Sequence, residues 1–174
     1  MARIWCPVFW ALSTFGIGNI MSYSSVESVK ITRGVIAEIL QHARQCAPNE
    51  CCGLLVGRGE IIERVYRLSN IAEDPRRRYF ADPRELFQYQ KRMRARREKL
   101  LGIYHSHPQS AAVPSPTDIE QAFYPEAVYV IVSLGPRPQV RAYRIVGGEA
   151  KEMVYEIVDD APPRCAGPST ELAK

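Results

Sequence analysis

The chain has 174 residues, 46% of them hydrophobic, and a formal net charge of +4 at neutral pH. This length and hydrophobic content fit one domain with a full core. The five cysteines are scattered and odd in number, with no paired framework. They therefore disfavour a disulfide scaffold and favour a reducing compartment, so we expect a cytoplasmic protein.

The first segment of the chain is apolar. Residues 4–21 follow a single arginine and faintly resemble a signal peptide, but Pro7, Asn19 and the absence of a small-x-small cleavage site disfavour one. The run is also too short and too interrupted for a membrane span. We expect residues 1–27 to lie outside the fold. An over-extended start ahead of Met21 is the preferred explanation, before a membrane-contacting segment and a secretory signal.

Residues 28–158 are predicted to form one mixed α/β layer. Thr32 is a good N-cap for a first helix, and Asp82 followed by Pro83 is a good start for a second. Period-two and period-3.6 patterns predict strands near residues 29–31, 51–56, 61–68, 100–105, 128–133, 140–146 and 153–158, and helices near residues 33–46, 82–97 and 115–123. Residues 159–174 contain three prolines and few large apolar residues, so we expect a disordered tail.

The second predicted helix is strongly basic. With the preceding arginine triplet, its cations are Arg76, Arg77, Arg78, Arg84, Lys91, Arg92, Arg94, Arg96 and Arg97. A solvated face is the simpler interpretation, and a docking surface for an acidic protein is the functional alternative. No recognisable nucleic-acid motif accompanies the charge, so we expect no nucleic-acid partner.

Two short motifs carry the strongest chemical signal. His105 and His107 follow an apolar run that predicts a buried strand, and side chains two residues apart on a strand share a face. Asp118 lies a short distance downstream, so two imidazoles and one carboxylate are available as the three protein ligands of a catalytic zinc. Alone, each half has a simpler interpretation: a packed histidine pair, and a helix start with Ser115 as N-cap. The capping and metal interpretations are compatible.

Other hydrolytic schemes have weaker support. The chain contains no Gly-x-Ser-x-Gly elbow, no Walker A loop and no Gly-x-Gly-x-x-Gly fingerprint. Cys46, Cys51 and Cys52 suggest a thiol protease, but buried apolar cysteines are the commoner case, and we expect Cys52 in the core. Glu50, beside these cysteines, is from the residues alone either an exposed acid at the start of a strand or a general base.

The spacing His105-x-His107-x7-Ser115-x2-Asp118 resembles the signature of the JAB1/MPN/Mov34 (JAMM) metalloprotease family. Residues 48–57, which include Glu50, are similar to that family's glutamate-bearing strand, and the resemblance covers about residues 29–158. It implies a single MPN-like α/β (α+β) domain with a central mixed, curved β-sheet flanked by helices, cytidine-deaminase-like. It also implies one Zn²⁺ per chain bound by the two histidines and the aspartate, with Glu50 activating water and Ser115 stabilising the oxyanion.

The substrate is also inferred from the resemblance. The short chain and the Glu-x-Cys-Gly-Leu-Leu pattern that starts at Glu50 resemble the compact bacterial branch of the family. Enzymes of that branch process ubiquitin-like sulfur-carrier proteins, which implies a zinc-dependent peptidase or isopeptidase that cleaves after a C-terminal Gly-Gly. The alternative is a catalytically silent MPN-type protein-interaction module. The complete set of five site residues favours the enzyme.

Overall fold

The computed structural model describes residues 28–160. Within that range eight strands and three helices follow one another: β1 (Ser28–Thr32), α1 (Arg33–Cys46), β2 (Cys52–Gly57), β3 (Ile61–Ile62), β4 (Arg64–Leu68), α2 (Pro83–Arg96), β5 (Lys99–His107), α3 (Pro116–Glu120), β6 (Val128–Ser133), β7 (Gln139–Val146) and β8 (Glu149–Val158). The mixed α/β composition predicted from the sequence is confirmed.

All eight strands join one sheet, in the order β3-β1-β8-β7-β6-β5-β2-β4. The sheet is mixed, since β1 runs parallel to both β3 and β8, β5 runs parallel to β6, and the other neighbours are antiparallel. A parallel pair needs a crossover connection. Between β5 and β6 that crossover contains α3, which brings the start of α3 back to the end of β5.

The first helix covers one face of the sheet. The Thr32 side chain accepts a hydrogen bond from the Val35 amide at 3.4 Å, so Thr32 is the N-cap that the sequence predicts. The apolar side of α1 packs with sheet residues in a cluster that includes Val35, Ile39, Leu55 and Tyr104. Burying each large aliphatic side chain of this kind stabilises the fold by about 1.5–3 kcal/mol.

The second helix covers part of the opposite face. Asp82 is its N-cap, accepting from the Arg84 amide at 2.8 Å, and Arg97 ends it in a left-handed conformation with φ 56°. Met93 is the buried residue of the helix and packs in a cluster with Cys52 and Tyr66. Cys52 is therefore a core residue, as predicted.

Several predicted boundaries differ from the structure. The single strand predicted near residues 61–68 is two strands, interrupted at Glu63, whose amide donates to the Val56 carbonyl at 2.9 Å. As a result β3 pairs with β1, while β4 pairs with β2. The third helix ends at Glu120 rather than residue 123, before Pro125, which disfavours helical conformation in the residue ahead of it. Strand β5 is longer than predicted and reaches His107.

The two predicted ends are only partly described. The predicted extension, residues 1–27, lies outside the described residues, as do residues 161–174 of the predicted tail. Both carboxylate oxygens of Asp160 accept from the Gly34 amide at 3.1 Å, where negative charge is favourable near the start of α1. In residues 28–160, no helix is long and apolar enough to cross a membrane.

Candidate active site

The two predicted histidine ligands lie at the end of β5 and on one face of it. Their Nε2 atoms are 3.1 Å apart, and both side chains are buried. Ser106, between them, points to the other face, where its Oγ accepts from the Cys51 amide at 2.9 Å. Because side chains alternate along a strand, the two imidazoles lie on one face and Ser106, which binds the Cys51 backbone, lies on the other.

The first turn of α3 brings the carboxylate to the histidines. Ser115 is the N-cap: its Oγ accepts from the Asp118 amide at 3.2 Å, and the Asp118 Oδ2 accepts from the Ser115 amide at 2.7 Å. This reciprocal pair is a capping box. The same carboxylate lies 3.3 Å from the His105 Nε2 and 3.4 Å from the His107 Nε2. The helix-start and ligand interpretations of Asp118 are therefore compatible in this geometry.

The three donors fit a zinc ion. A tetrahedral zinc with bonds of about 2.0–2.2 Å separates its ligand atoms by roughly 3.3–3.6 Å. The two imidazole nitrogens and the carboxylate oxygens lie 3.1–3.4 Å apart, and within residues 28–160 these three side chains form a group whose ligand atoms all lie within 4.8 Å of one another. Two imidazoles and one carboxylate are also a donor set found in catalytic zinc sites.

The surroundings of the imidazoles favour binding through Nε2. The Nδ1 of His107 is 2.9 Å from the Ala111 carbonyl, so in the neutral ring Nδ1 carries the proton and the Nε2 lone pair faces the site. The Nδ1 of His105 is buried and has no hydrogen-bond partner among the described residues. The ring of His105 is held instead by stacking, because Tyr79 lies over it at 4.6 Å between ring centres and 23° between planes.

Burial and hydrogen bonding set the protonation of the three donors. Burial opposes the charge of Asp118, but hydrogen bonds from both histidines outweigh it and hold the pKa of that carboxyl well below its usual range. Burial lowers the pKa of His105. Burial also acts to lower the pKa of His107, but hydrogen bonds to Asp118 and the Ala111 carbonyl raise it overall. A charged carboxylate and a neutral His105 are the states that ligate metal, while His107 must be neutral to do so.

Glu50 lies beside this group, two residues ahead of β2. The β2–β5 register pairs Cys52 with His105, and the carboxyl of Glu50 is close enough to His107 and Asp118 for both to affect its pKa. Glu50 is only 7% exposed, which excludes the alternative of a surface acid. Burial raises its pKa to about 7, with the Asp118 and Asp74 carboxylates adding to the rise and His107 opposing it. A carboxyl with such a pKa is suited to proton transfer near neutral pH.

The neighbouring thiols are not poised for nucleophilic attack. Burial is the main cause that raises the pKa of Cys51 to about 11 and that of Cys52 to about 12. The thiolate is the nucleophilic form of cysteine. Both groups therefore stay protonated near neutral pH, which agrees with the weak support for a thiol protease in the sequence.

Two residues of the site were not found from the sequence. Tyr79, which stacks on His105, and Asn70, whose Nδ2 donates to the Glu50 carbonyl at 2.9 Å, both belong to the segment between β4 and α2. Neither residue belongs to an element or a motif predicted from the sequence. No pattern in that loop distinguished either residue, since their roles depend on contacts with β5 and with the chain ahead of β2.

Comparisons with known proteins agree with this geometry. A family model described as prokaryotic homologues of the JAB domain matches residues 32–146, a region that holds all five predicted site residues. A solved structure of a protein from Desulfitobacterium hafniense has a TM-score of 0.69 and 36% identity, covering 77% of this chain and 95% of that one. A JAB1/MPN domain protein from Archaeoglobus fulgidus, at 23% identity, has the same fold, with a TM-score of 0.51 over 74% of this chain and 98% of that one.

Three curated relatives are named for cleavage reactions. A protein named desampylase from Haloferax volcanii is 37% identical over 66% of this chain and 86% of its own length. A probable TtuB-protein conjugate cleaving protease from Thermus thermophilus is 38% identical over 71% and 80%. A CysO-cysteine peptidase from Mycobacterium tuberculosis is 34% identical over 74% and 90%. By these matches the chain belongs to the prokaryotic JAB (JAMM) family, which is generally zinc-dependent, and it is a hydrolytic enzyme of that type.

Proposed function

We propose that this chain hydrolyses an amide bond with one zinc ion held by His105, His107 and Asp118, with Glu50 as general base and Ser115 at the oxyanion. The observation that carries the proposal is the position of Glu50, buried beside His107 and Asp118. The five side chains of the proposed site are the set that the JAMM signature implies. The alternative of a catalytically silent module leaves a buried glutamate beside a metal-binding group without a purpose.

The chemistry divides between the metal and the protein. Zinc in such a site supplies a Lewis acid that acidifies water and polarises a carbonyl. Glu50 takes a proton from the attacking water and returns it to the leaving amine, a role for which its pKa of about 7 is suited. The stacked Tyr79 and the hydrogen bond to Ala111 hold the histidine rings in place.

Replacing Ser115 by alanine is expected to lower kcat by roughly 10²–10³, the size of effect seen when one oxyanion donor is removed. The same change removes the hydrogen bond from the Asp118 amide and costs about 1 kcal/mol of stability through the lost cap. Steady-state kinetics and thermal unfolding on the same preparation separate the two effects. A kcat that falls only in proportion to lost zinc would assign Ser115 to the cap alone.

We infer that the substrate is a ubiquitin-like sulfur-carrier protein cut after its C-terminal Gly-Gly. The names of the relatives support this class, because they describe cleavage of a protein conjugate and of a bond to cysteine. An extended Gly-Gly tail is slim enough to add along a sheet edge and reach a buried site where larger side chains cannot pass.

The basic surface on and beside α2 fits the body of such a carrier. Nine of the 23 Lys and Arg residues lie between Arg76 and Arg97 against two acids, so this stretch carries +7 and the rest of the chain −3. None of those nine cations forms an ion pair within the described part of the chain. Phe87 adds an exposed ring, with the Lys91 ammonium 4.5 Å from its centre. An acidic carrier is attracted to a surface of this kind.

Incubation with carriers that bear C-terminal extensions tests the substrate directly. We expect mass spectrometry to find a single cut immediately after Gly-Gly, which chelator abolishes, zinc restores, and thiol or serine reagents leave unchanged. A carrier whose second glycine is changed to valine is the matched control and should resist cleavage. Turnover of an unrelated peptide or isopeptide with no cleavage of any carrier would contradict the substrate and leave the hydrolytic mechanism standing.

A further inference from the structure

The backbone of Glu50 is not held by the sheet. Its amide donates to the Pro75 carbonyl at 2.7 Å, and its carbonyl accepts from the Asn70 Nδ2 at 2.9 Å. Both partners belong to residues 69–82, which link β4 to α2 and are called here the 69–82 segment. The next residue, Cys51, is held by β5 instead: its amide donates to the Ser106 Oγ, and its carbonyl accepts from the Ser106 amide. The position of Glu50 therefore depends on the 69–82 segment.

Asn70 uses the full hydrogen-bonding capacity of its side-chain amide. Besides the Glu50 carbonyl, its Nδ2 donates to the Arg78 carbonyl at 2.9 Å. Its Oδ1 accepts from the amides of Ala72 and Phe80, both at 3.0 Å. One side chain thus joins both arms of the 69–82 segment to each other and to Glu50. Two carbonyl acceptors on one side and two amide donors on the other also fix the orientation of the amide.

No other side chain of this length supplies those four bonds. Aspartate has two acceptor oxygens, so it keeps the bonds from the Ala72 and Phe80 amides but cannot donate to the Glu50 carbonyl. Alanine loses all four bonds. Aspartate at position 70 therefore removes the link to Glu50 and the bond to the Arg78 carbonyl, and keeps the two bonds from the Ala72 and Phe80 amides.

We propose that Asn70 is a positioning residue that sets the reach of the Glu50 carboxylate by holding the Glu50 backbone to the 69–82 segment. This inference rests on the proposed role of Glu50 as the base. Since a displacement of about 1 Å at a reacting group can cost roughly 10²-fold in rate, loosening the Glu50 backbone should slow the chemical step. Substrate binding elsewhere on the surface should be little changed.

The test compares Asn70→Asp and Asn70→Ala with Ser69→Ala. The control removes a hydrogen bond of the same segment, from the Ser69 Oγ to Glu85 at 2.8 Å, without touching Glu50. Both Asn70 variants are expected to lose about 10²-fold in kcat with KM within about threefold and zinc content unchanged. The added charge of Asn70→Asp should also move the acid limb of its pH profile upward, because a nearby carboxylate favours the protonated form of Glu50. The control should keep kcat within twofold.

Two further measurements distinguish positioning from general structural support. In zinc-free protein, hydrogen exchange at the Glu50 amide should quicken in both Asn70 variants and not in Ser69→Ala. In the Glu50→Gln background, Asn70→Asp should lower kcat no further, because residues that act as a unit are not additive. Asn70→Asp keeps two of the four bonds, so the test can be made with this variant if Asn70→Ala does not fold.

The outcomes separate this inference from the proposed function. If Glu50→Gln is inactive while Asn70→Asp turns over like wild type with unchanged Glu50 exchange, Asn70 does not position the base. Loss of zinc in proportion to loss of kcat would instead make Asn70 a support of the metal group. Full activity of Glu50→Gln would overturn the assignment of the base itself, and unaltered Glu50 exchange in the Asn70 variants would then overturn the positioning role as well.

Discussion

Glu50→Gln is expected to keep stoichiometric zinc and lose turnover by about 10²–10⁴-fold, because an amide cannot accept the proton of the attacking water. The substitution keeps the size of the side chain, so the histidine and aspartate group should stay intact. Single-turnover kinetics with elemental analysis of the same sample measures both quantities. Glu85→Gln is the matched control, since that carboxylate only accepts hydrogen bonds from Ser69 and lies outside the metal group.

The pH dependence follows from the burial of Glu50. Its pKa of about 7 lies above the ordinary value of about 4.3 for glutamate, so the folded state carries a penalty for the charge that is absent at pH 4 and complete above pH 7. Zinc-free Glu50→Gln should therefore melt at about the same temperature as wild type at pH 4, and at a higher temperature at pH 8. A bound cation lowers the pKa, so the acid limb of wild-type activity should lie at or below pH 7. Near-normal turnover of Glu50→Gln would reassign the base.

His107→Ala is expected to abolish stoichiometric zinc binding and activity together. One of three donors is lost, and the site between Asp118 and His105 keeps too few ligands for a catalytic zinc. Elemental analysis should find one zinc per wild-type chain purified without chelator and none in the variant. Zinc affinity of the wild type should also weaken in acid, because protons compete for the imidazoles. Zinc also stabilises the folded state it binds, so the variant should not gain melting temperature when zinc is added.

The third histidine is the control for this change. His42 lies on α1, outside the group of metal-binding side chains, with its Nδ1 2.8 Å from the Tyr104 hydroxyl. His42→Ala should cost stability through the lost packing and hydrogen bond but retain zinc. Full zinc content in His107→Ala, or none in the wild type, would contradict the proposed metal site.

The sequence by itself determined the local structure and the donor types. The caps at Thr32, Asp82 and Ser115 depend on a side chain and an amide two or three residues away, so each was predicted correctly from neighbouring residues. The common face of His105 and His107 follows from the alternation of a single strand. The resemblance to the family was likewise identified from residue types and spacing alone.

Only the tertiary structure decided how distant parts of the chain meet. Glu50 lies near the histidines because β2 pairs with β5. The residues between those two strands do not indicate that the strands pair or in which register. The break at Glu63 had the same origin, since β3 and β4 bond to different strands. Strand partners are chosen by packing over the whole sheet, which a local pattern does not contain.

The environment of the site is also a property of the fold. The raised pKa of Glu50 comes mainly from burial, and burial depends on what the 69–82 segment covers. Tyr79 and Asn70 were missed for the same reason, because each acts through a contact with a residue at least twenty positions away. The sequence therefore determined which groups do the chemistry, and long-range packing determined their distances, their protonation and their supports.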